Sequence, residues 1–278
     1  MSRADLHLHT YYSDGTDSPR RVVELAKQAG LSAIAVTDHD ILSSYPEAAE
    51  AARDHGIELI PGLEMSASGG GQEVHMLGYY IDLADQTFQG LLAAQRERRI
   101  RRVHQMVERL RSLGLAIEAE DVFASAKEHG AIGRPHVAQA LLKRGHVATL
   151  KEAFDRYIGN HGPAYVAGSP TSPRDAIRAI RSAGGIPVLA HPMYLKDDAL
   201  IEQMVRDGLA GIEVYHSSHS QELIKKYNAL AERWHLLRTG GSDYHGAAKE
   251  GVAIGVTSVP YALVEALKAW HAARPRVV

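Results

Sequence analysis

Two histidines near the start of the chain are spaced so that they could bind one metal ion. His7 and His9 alternate with two leucines, and such alternation is typical of a β-strand, in which residues two apart share a face. Two imidazoles on one face of a strand can ligate the same ion, and Asp14 follows closely enough to serve it or a neighbouring ion. A strand with polar side chains towards solvent would show the same pattern, so this motif alone leaves both interpretations open.

Further potential ligands occur at or near the ends of predicted strands along the rest of the chain. The nine candidates are His7, His9, Asp14, His39, Glu64, His75, His191, Asp243 and His245. Because the carboxyl ends of parallel strands open on one face of an α/β barrel, we expect these side chains to line one mouth. Clusters of this size usually hold metal, and six imidazoles with three carboxylates favour Zn²⁺, Mn²⁺ or Fe²⁺ over Ca²⁺ or Mg²⁺.

Strand-like and helical patterns alternate over much of the chain. Apolar runs typical of buried strands occur at 31–36, 57–60, 186–190, 211–215 and 236–239, and the stretch 73–80 also has strand character. Helical patterns lie at 20–29, about 45–55 and about 172–183, and a further one follows Pro260. This alternation predicts an α/β fold with a parallel sheet and right-handed crossovers.

One long stretch interrupts the alternation. From about 88 to 165 the sequence has only helical patterns, and a barrel is not expected to continue so far without a strand. We therefore predict a metal-binding barrel formed by 1–87 and 166–278, with a helical insertion at 88–165 that contributes to the substrate pocket. The length of 278 residues suits a single barrel of this kind.

Composition excludes several classes of site. There is no cysteine, which rules out disulfides, thiolate metal sites and cysteine nucleophiles. The formal net charge of −2 gives no basic field, so we do not expect binding to long duplex nucleic acid. The first predicted strand begins almost at once, and no apolar run reaches the length of a membrane span. We therefore expect a cytoplasmic protein without a membrane partner.

The strand-end motifs together resemble those of the PHP (polymerase and histidinol phosphatase) superfamily. The matching motifs are H-L-H with Asp14, T-D-H-D, P-G-L-E, H-M-L-G-Y, A-H-P and G-S-D-Y-H, in the order of that family. The resemblance implies a distorted seven-stranded (β/α)7 TIM-like barrel that binds three divalent metal ions.

The resemblance also assigns the ligands to the three ions. One ion would be held by His7, His9, Glu64 and Asp243, a second by Asp14, His39 and His245, and a third by Glu64 (bridging), His75 and His191. Some family members have histidine where this chain has Asp14. Because a carboxylate favours a harder ion, Mn²⁺ is expected first, with Zn²⁺ and Fe²⁺ as alternatives.

Two such ions can share a water molecule, lower its pKa and direct the resulting hydroxide in line at phosphorus. The remaining phosphate oxygens suit an arginine, whose guanidinium has a matching fork geometry. Arg134 precedes Pro135 at a predicted helix start, which could be either a phosphate-facing helix end or an ordinary surface helix. Its motif, G-R-P-H, resembles the nucleoside-bisphosphate phosphatase branch of the superfamily, which shares the helical insertion and a segment similar to 159–165.

That branch implies a substrate and further site residues. Its members remove the 3′-phosphate from nucleoside 3′,5′-bisphosphates (for example pAp to AMP), and some trim short RNA from the 5′ end. A small phosphorylated nucleotide is therefore the expected partner, with short RNA as a second one. Arg134 is the expected catalytic clamp, and His216 is a candidate general acid or substrate contact. The substrate-binding candidates are Arg134, Asn160, His161, Tyr165 and His219.

Other functions remain open at this stage. A histidinol-phosphate phosphatase is the main enzymatic alternative, and an amidohydrolase acting on C–N bonds shares the H-x-H motif. A non-catalytic module, like the degenerate PHP domains attached to some polymerases, is a further alternative, although such modules often lose ligands. The basic run 96–102 indicates a solvated helix face, with contact to an RNA backbone as the other interpretation.

Overall fold

A computed structural model describes residues 2–126, 130–168 and 170–273. Its sheet has eight strands in the spatial order β7-β6-β5-β4-β3-β2-β1-β8. The strands are β1 (Arg3–Leu8), β2 (Ala33–Val36), β3 (Glu58–Gly69), β4 (Gln72–Tyr79), β5 (Ile186–Leu189), β6 (Gly211–His216), β7 (Leu237–Gly241) and β8 (Val259–Pro260).

Ten helices surround and follow these strands in the described residues. They are α1 (Pro19–Gln28), α2 (Tyr45–His55), α3 (Gln86–Ser112), α4 (Ala119–Phe123), α5 (Arg134–Lys143), α6 (Leu150–Ala153), α7 (Pro173–Ser182), α8 (Ala199–Arg206), α9 (Gln221–Arg233) and α10 (Tyr261–Ala272). Local chemistry explains where they begin and end. At α1, for example, the Ser18 hydroxyl accepts a hydrogen bond from the Arg21 amide, Pro19 occupies the first helical turn, and Gly30 follows with a positive φ.

The sheet curls into a nearly closed barrel because the chain after β7 lies against β1. The Asp243 amide donates to the His7 carbonyl at 2.9 Å, and the His9 amide donates to the Tyr244 carbonyl at 2.9 Å. Gly241 permits this approach, since a Cβ atom there would lie 2.5 Å from the His7 amide nitrogen. The expected α/β barrel is confirmed, and the eighth strand is a two-residue addition that pairs antiparallel with β1.

The sheet departs from the expected parallel arrangement at β4, which runs antiparallel to both β3 and β5. A two-residue turn joins β3 to β4, and its residues Gly70 and Gly71 both have positive φ, as tight hairpin turns require. The reversal brings the start of β4, rather than its end, to the ligand-bearing end of β5. The His75 carbonyl accepts a hydrogen bond from the Ala190 amide, one residue before His191.

The described residues between β4 and β5 contain helices and turns but no strand, as the sequence pattern predicts. Helices α3 and α5 and the segments around them bury a cluster of their own, which includes Val103, Met106, Leu110, Val137 and Leu141. The division into a barrel (1–87 and 166–278) and an insertion (88–165) stays a prediction. No helix in the described part of the chain is long and apolar enough to cross a membrane.

Arg99 connects α3 to the barrel. Its Nε atom donates to the Asp40 carboxylate at 2.7 Å, and its Nη2 atom donates to the Ser66 hydroxyl at 2.7 Å. Its Nη1 atom donates to the Ile132 carbonyl, in the segment that leads into α5. Burial would raise the pKa of Asp40, but Arg99 helps to hold it below its usual value. One guanidinium therefore joins three segments that border the functional site.

We expect Arg99→Met to destabilise the fold by about 3 kcal/mol, because it leaves the buried Asp40 carboxylate without its cationic partner. Methionine keeps much of the side-chain length, so the effect reports the lost charge and hydrogen bonds rather than a large cavity. Chemical denaturation of the metal-free protein measures the change. Arg111→Met is the control on the same helix, because the ion pair of Arg111 with Glu118 is exposed and should contribute less than about 1 kcal/mol. Equal losses in both variants would contradict the prediction.

Candidate active site

The structure brings all nine predicted metal ligands together at one end of the barrel. Within each of three groups, the candidate ligand atoms lie within 4.8 Å of one another. The groups are His7, His9, Glu64 and Asp243; His9, Asp14, His39 and His245; and His39, Glu64 and His75. The ninth residue, His191, joins them through Glu64.

Glu64 lies at the centre of the cluster, on β3, and is 1% exposed. Its Oε2 atom is 3.1 Å from the Nε2 atoms of both His7 and His9. Its Oε1 atom is 2.8 Å from His191 Nε2 and 3.0 Å from His75 Nδ1. Burial would raise the pKa of this carboxyl, but the surrounding imidazoles hold it well below its usual value. The two oxygens of Glu64 thus face different pairs of histidines, as a bridging ligand requires.

Asp14 forms a second centre beside the first. Its Oδ1 atom lies 3.2 Å from His245 Nε2 and 3.7 Å from His9 Nδ1, and its Oδ2 atom lies 3.6 Å from His39 Nε2. The turn that carries Asp14 is tight, since a Cβ atom at Gly15 would lie 2.7 Å from the His9 carbonyl oxygen. Asp14 is therefore brought back over the end of β1, where the first histidine pair lies.

Two of the ligands have unusual backbone conformations. Asp243 has φ of 54° and His191 has φ of 25°, and such values are uncommon outside glycine. The Asp243 carboxylate lies 3.3 Å from His7 Nε2 and 3.4 Å from His9 Nε2. Backbone strain of this kind is concentrated at functional sites, where the surrounding structure enforces it. Here it aims two ligands at the cluster that contains Glu64.

The donor set fits divalent metal ions. The Nε2 atoms of His7 and His9 are only 3.1 Å apart, and both face the same Glu64 oxygen. His39 Nδ1 is buried and makes no hydrogen bond among the described residues, although Glu64 Oε2 lies 3.4 Å away. Burial lowers the pKa of His39 to about 3, which keeps its imidazole in the neutral form that binds metal. Nitrogen and carboxylate oxygen atoms that converge in this way suit Zn²⁺, Mn²⁺ or Fe²⁺.

Arg134 lies beside this cluster, at the start of α5. Its Nη2 atom pairs with the Glu73 carboxylate at 2.5 Å, and its Nη1 atom donates to the Asn160 side-chain oxygen at 2.8 Å. The aromatic rings of Tyr165 and Phe154 have their centroids 5.6 and 5.7 Å from the guanidinium carbon. Three of the predicted substrate-binding residues, Arg134, Asn160 and Tyr165, are therefore brought together.

Two cavities open on the cluster and share Glu73 and Arg134 in their walls. The first, of about 380 Å³, is also lined by His39, His75 and several arginines of α3. The second, of about 520 Å³, is also lined by His191 and by the ring of Tyr194. Arg134 can thus face a ligand in either cavity while the ligand contacts the histidine cluster.

Comparisons with known proteins agree with this geometry. A family model described as the PHP domain matches residues 5–185, which is more than half of the chain. The chain belongs to the PHP domain family. The resemblance inferred from the strand-end motifs is therefore confirmed, and it extends over the barrel strands that carry the first six ligands.

Individual members of the PHP family cover nearly the whole chain. A 3′,5′-nucleoside bisphosphate phosphatase from Chromobacterium violaceum is 35% identical over 262 residues, covering 92% of each chain. A 5′-3′ exoribonuclease from Haemophilus influenzae is 31% identical and covers 87% of this chain and 89% of its own length. A solved structure from Bifidobacterium adolescentis, assigned as a metal-dependent phosphoesterase, superposes with a TM-score of 0.89 at 36% identity, covering 96% of this chain and 95% of the other.

The remaining predicted site residues of this PHP domain lie away from the cavities. His216 is buried, and its Nε2 atom lies 3.2 Å from Asp243 Oδ2. Because the Ser218 amide donates to His216 Nδ1, we assign the ring proton to Nε2, which donates to Asp243. His219 lies behind His216 and bonds through Nδ1 to the Val214 carbonyl. His216 is thus placed to orient a ligand, and its role as a general acid stays a prediction.

His161, like His219, is a predicted substrate contact that the structure leaves apart from Arg134, Asn160 and Tyr165. It is exposed and is absent from the linings of both cavities, whereas its neighbour Asn160 holds Arg134. A contact between His161 and the substrate stays a prediction.

Glu213 is a functional residue that the sequence analysis did not single out. It is fully buried, its Oε1 atom lies 2.9 Å from His7 Nδ1, and its Oε2 atom accepts a hydrogen bond from the His191 amide. A carboxylate that binds one ring nitrogen fixes the tautomer and directs the other nitrogen to the metal. Glu213 lies 206 residues from His7 along the chain. The one signal in the sequence is that Glu213 lies on β6, the strand that ends in the candidate residue His216.

Lys249 is a second residue that sequence reasoning missed. Its Nζ atom lies 2.6 Å from Asp243 Oδ2, in the segment that follows β7. Its positive charge offsets that of a carboxylate which faces the histidine cluster. The sequence gives no signal for this contact, because a single lysine in a turn is usually solvated.

Proposed function

We propose that this PHP protein is a metal-dependent phosphoesterase that removes the 3′-phosphate from nucleoside 3′,5′-bisphosphates, with short RNA as a further substrate. The observation that carries the proposal is the position of Arg134, which borders both cavities beside the nine-ligand cluster. A guanidinium in this place can accept the phosphate oxygens that the cluster leaves free.

Three divalent ions are proposed, with Mn²⁺ first and Zn²⁺ or Fe²⁺ as alternatives. Support comes from the three ligand groups, because each pair of groups has one residue in common. These common residues are Glu64, His9 and His39. Bound there, such ions would polarise the phosphate and lower the pKa of a water molecule. The carboxylate of Asp14 favours the harder ion among those that imidazole also binds.

The residues of the chain orient the reacting groups. Glu213 directs His7 towards the cluster, and His216 holds one oxygen of Asp243. Arg134 is held by Asn160 on one side and by Glu73 on the other. A substrate phosphate offers the same kind of charged oxygen as Glu73 and can take its place on Arg134, because Glu73 keeps a second partner, Arg102, at 2.7 Å.

The helical segment 88–165 is proposed as the part that recognises the nucleotide. It supplies Arg134, Asn160 and Tyr165 to the site, whereas the barrel supplies the ligand cluster. Its helices have their own buried core, so they can hold these side chains at a fixed position over the barrel mouth. This arrangement separates substrate recognition from the chemistry at phosphorus.

The names of the relatives favour nucleotide substrates over the alternatives. A bisphosphate phosphatase and an exoribonuclease both match most of this chain, and neither is a histidinol-phosphate phosphatase. The non-catalytic alternative is disfavoured because all nine candidate ligand residues are present in the chain and lie together.

The first test is phosphate release by the Mn²⁺-loaded protein from 3′,5′-adenosine bisphosphate, with histidinol phosphate assayed in parallel. We expect release from the bisphosphate, with 5′-AMP as the product, because the 3′-phosphate is the group at the cluster. Chromatography of the nucleotide product identifies which phosphate is lost. Release from histidinol phosphate alone would contradict the proposed nucleotide substrate but would agree with the proposed phosphoesterase activity. Inactivity on both, with metal bound, would direct the test to short oligoribonucleotides.

A further inference from the structure

The basic run of α3 faces the first cavity with one side of the helix. The residues that line the cavity from this run and the next turn are Arg98, Arg99, Arg101, Arg102 and Gln105. Positions 98, 101, 102 and 105 are separated by three or four residues, so they lie on one helix face. Part of this run is therefore the wall of a cavity, and we call Arg98, Arg101 and Arg102 the basic wall.

Most positive charges around this cavity have a partner, but two do not. Arg99 pairs with Asp40, and Arg102 shares Glu73 with Arg134. The guanidinium groups of Arg98 and Arg101 make no ion pair or hydrogen bond with any residue that the structure describes. Two free cations on one helix face repel each other and favour an anion between them.

The cavity connects the basic wall with the ligand cluster. Asp14, His39 and His75 line it together with Arg98 and Arg101. A ligand that reaches both sides must carry one group for the metal ligands and a second, anionic group for the arginines. Arg134 also lines this cavity, so a guanidinium lies next to the first group as well. The cavity thus has the chemistry of a site for two anions.

We propose that Arg98 and Arg101 bind the second phosphate of the substrate, the one that is not hydrolysed. The inference rests on the proposed function, because that function places the 3′-phosphate at the cluster and leaves the 5′-phosphate to be bound elsewhere. The basic wall then determines specificity: it distinguishes a nucleoside bisphosphate from a nucleoside 3′-monophosphate. Arg102, which remains paired with Glu73, supports the wall without being the main contact.

The second phosphate can come from two sources with the same chemistry. It is the terminal 5′-phosphate of a mononucleotide bisphosphate or of a 5′-phosphorylated short RNA. In both, a single ribose separates it from the reacting phosphate, so the same two arginines can hold it. A phosphodiester further along an RNA chain would be a different occupant, and the test below separates it from the terminal phosphate.

The test compares kcat/KM for 3′,5′-adenosine bisphosphate and for 3′-AMP in the wild type and in the double variant Arg98→Ala/Arg101→Ala. We expect the wild type to prefer the bisphosphate, and the double variant to lose about 10- to 100-fold of that preference, as expected for two charge-assisted contacts. The preference of the wild type should also fall as salt is raised, because the two arginines are exposed.

A matched control and a rescue accompany the variant. Arg111→Ala removes one arginine from the same helix, about 15 Å beyond Arg101 along the axis at 1.5 Å per residue, and should leave the preference unchanged. Arg98→Lys/Arg101→Lys keeps the charges and should restore a large part of it. Equal losses on both substrates, or no change on either, would overturn the proposal.

Binding measurements separate failure of this inference from failure of the proposed function. Calorimetric titration of the Mn²⁺-loaded protein with 5′-AMP and with adenosine requires no turnover. The double variant should weaken binding of 5′-AMP and leave that of adenosine unchanged. If the wild type hydrolyses neither nucleotide, the proposed function fails, but this binding difference still decides the role of the basic wall; its absence overturns the inference.

The RNA arm uses a short oligoribonucleotide with and without a 5′-phosphate. If the wall binds the terminal phosphate, removing that phosphate lowers kcat/KM in the wild type and has little further effect in the double variant. A loss in the double variant that is the same for both RNAs, with hydrolysis of the bisphosphate intact, would assign the wall to the downstream backbone and overturn the proposal.

Discussion

Glu64→Gln should lower phosphate release by more than about 10³-fold and reduce the number of bound metal ions. The loss corresponds to several kcal/mol of transition-state stabilisation, which is what polarisation and water activation by bound ions supply. Glutamine has nearly the same size, so the packing around β3 stays. It offers one carbonyl oxygen and no charge where the wild-type carboxylate presents two oxygens to five imidazoles.

Metal content by mass spectrometry and thermal stability provide readouts that do not depend on turnover. Added Mn²⁺ should raise the melting temperature of the wild type, because a ligand that binds only the folded state stabilises it. The rise should be much smaller in Glu64→Gln. Glu58→Gln is the control on the same strand, since Glu58 bonds Lys268 and Tyr261 away from the cluster. A Glu64→Gln variant with full metal content and wild-type kcat/KM would contradict the proposed role of Glu64 as a metal ligand.

The sequence predicted the barrel and the ligand cluster well because both depend on local patterns. Most of the ligands lie at or soon after the end of an apolar run, and the ends of parallel strands meet on one face. The alternation of strands and helices was sufficient to predict β1, β2, the start of β3 and β5 to β7. The ligands therefore come together whenever the strands pair in the usual way.

The direction of β4 could not be predicted from its residues. An apolar strand has the same pattern in either direction, and only the two-residue turn at Gly70 and Gly71 reverses the chain. Residues 69–71 are three consecutive glycines, which suit a flexible loop as well as a tight turn. The reversal matters, because it places His75 next to His191.

The contacts that support the ligands also escaped sequence reasoning, for a different reason. Glu213 contacts His7, which is 206 residues away in the chain, and Lys249 contacts Asp243 across a turn. In neither case does the local sequence identify the partner. The basic run of α3 posed a similar difficulty: periodicity shows which arginines share a face, but not what that face meets. Only the packing of α3 beside the barrel mouth distinguishes a cavity wall from a solvated surface.

Arg134→Ala should reduce kcat/KM on the best substrate by about 30- to 1000-fold while the metal ions stay bound. This corresponds to about 2–4 kcal/mol, the usual effect of removing one donor to the charge that develops in a transition state. Arg134 is not among the ligands and contacts Glu73 and Asn160 instead, so its loss should leave the cluster intact. Burial would raise the pKa of the Glu73 carboxyl, but Arg134 and Arg102 lower it to about 2, and Arg102 remains to stabilise it in the variant.

Arg134→Lys tests whether the fork geometry matters as well as the charge. A lysine ammonium is a point charge and cannot give two parallel hydrogen bonds to phosphate, so we expect only partial recovery. Arg144→Ala is the matched control, because Arg144 follows the other end of α5 and its exposed guanidinium pairs with Asp121 of α4. If Arg134→Ala keeps the wild-type kcat/KM, Arg134 does not bind the reacting phosphate in the transition state. A loss of metal content equal to the loss of activity would instead show that Arg134 acts on the cluster, since a clamp on substrate leaves metal binding unchanged.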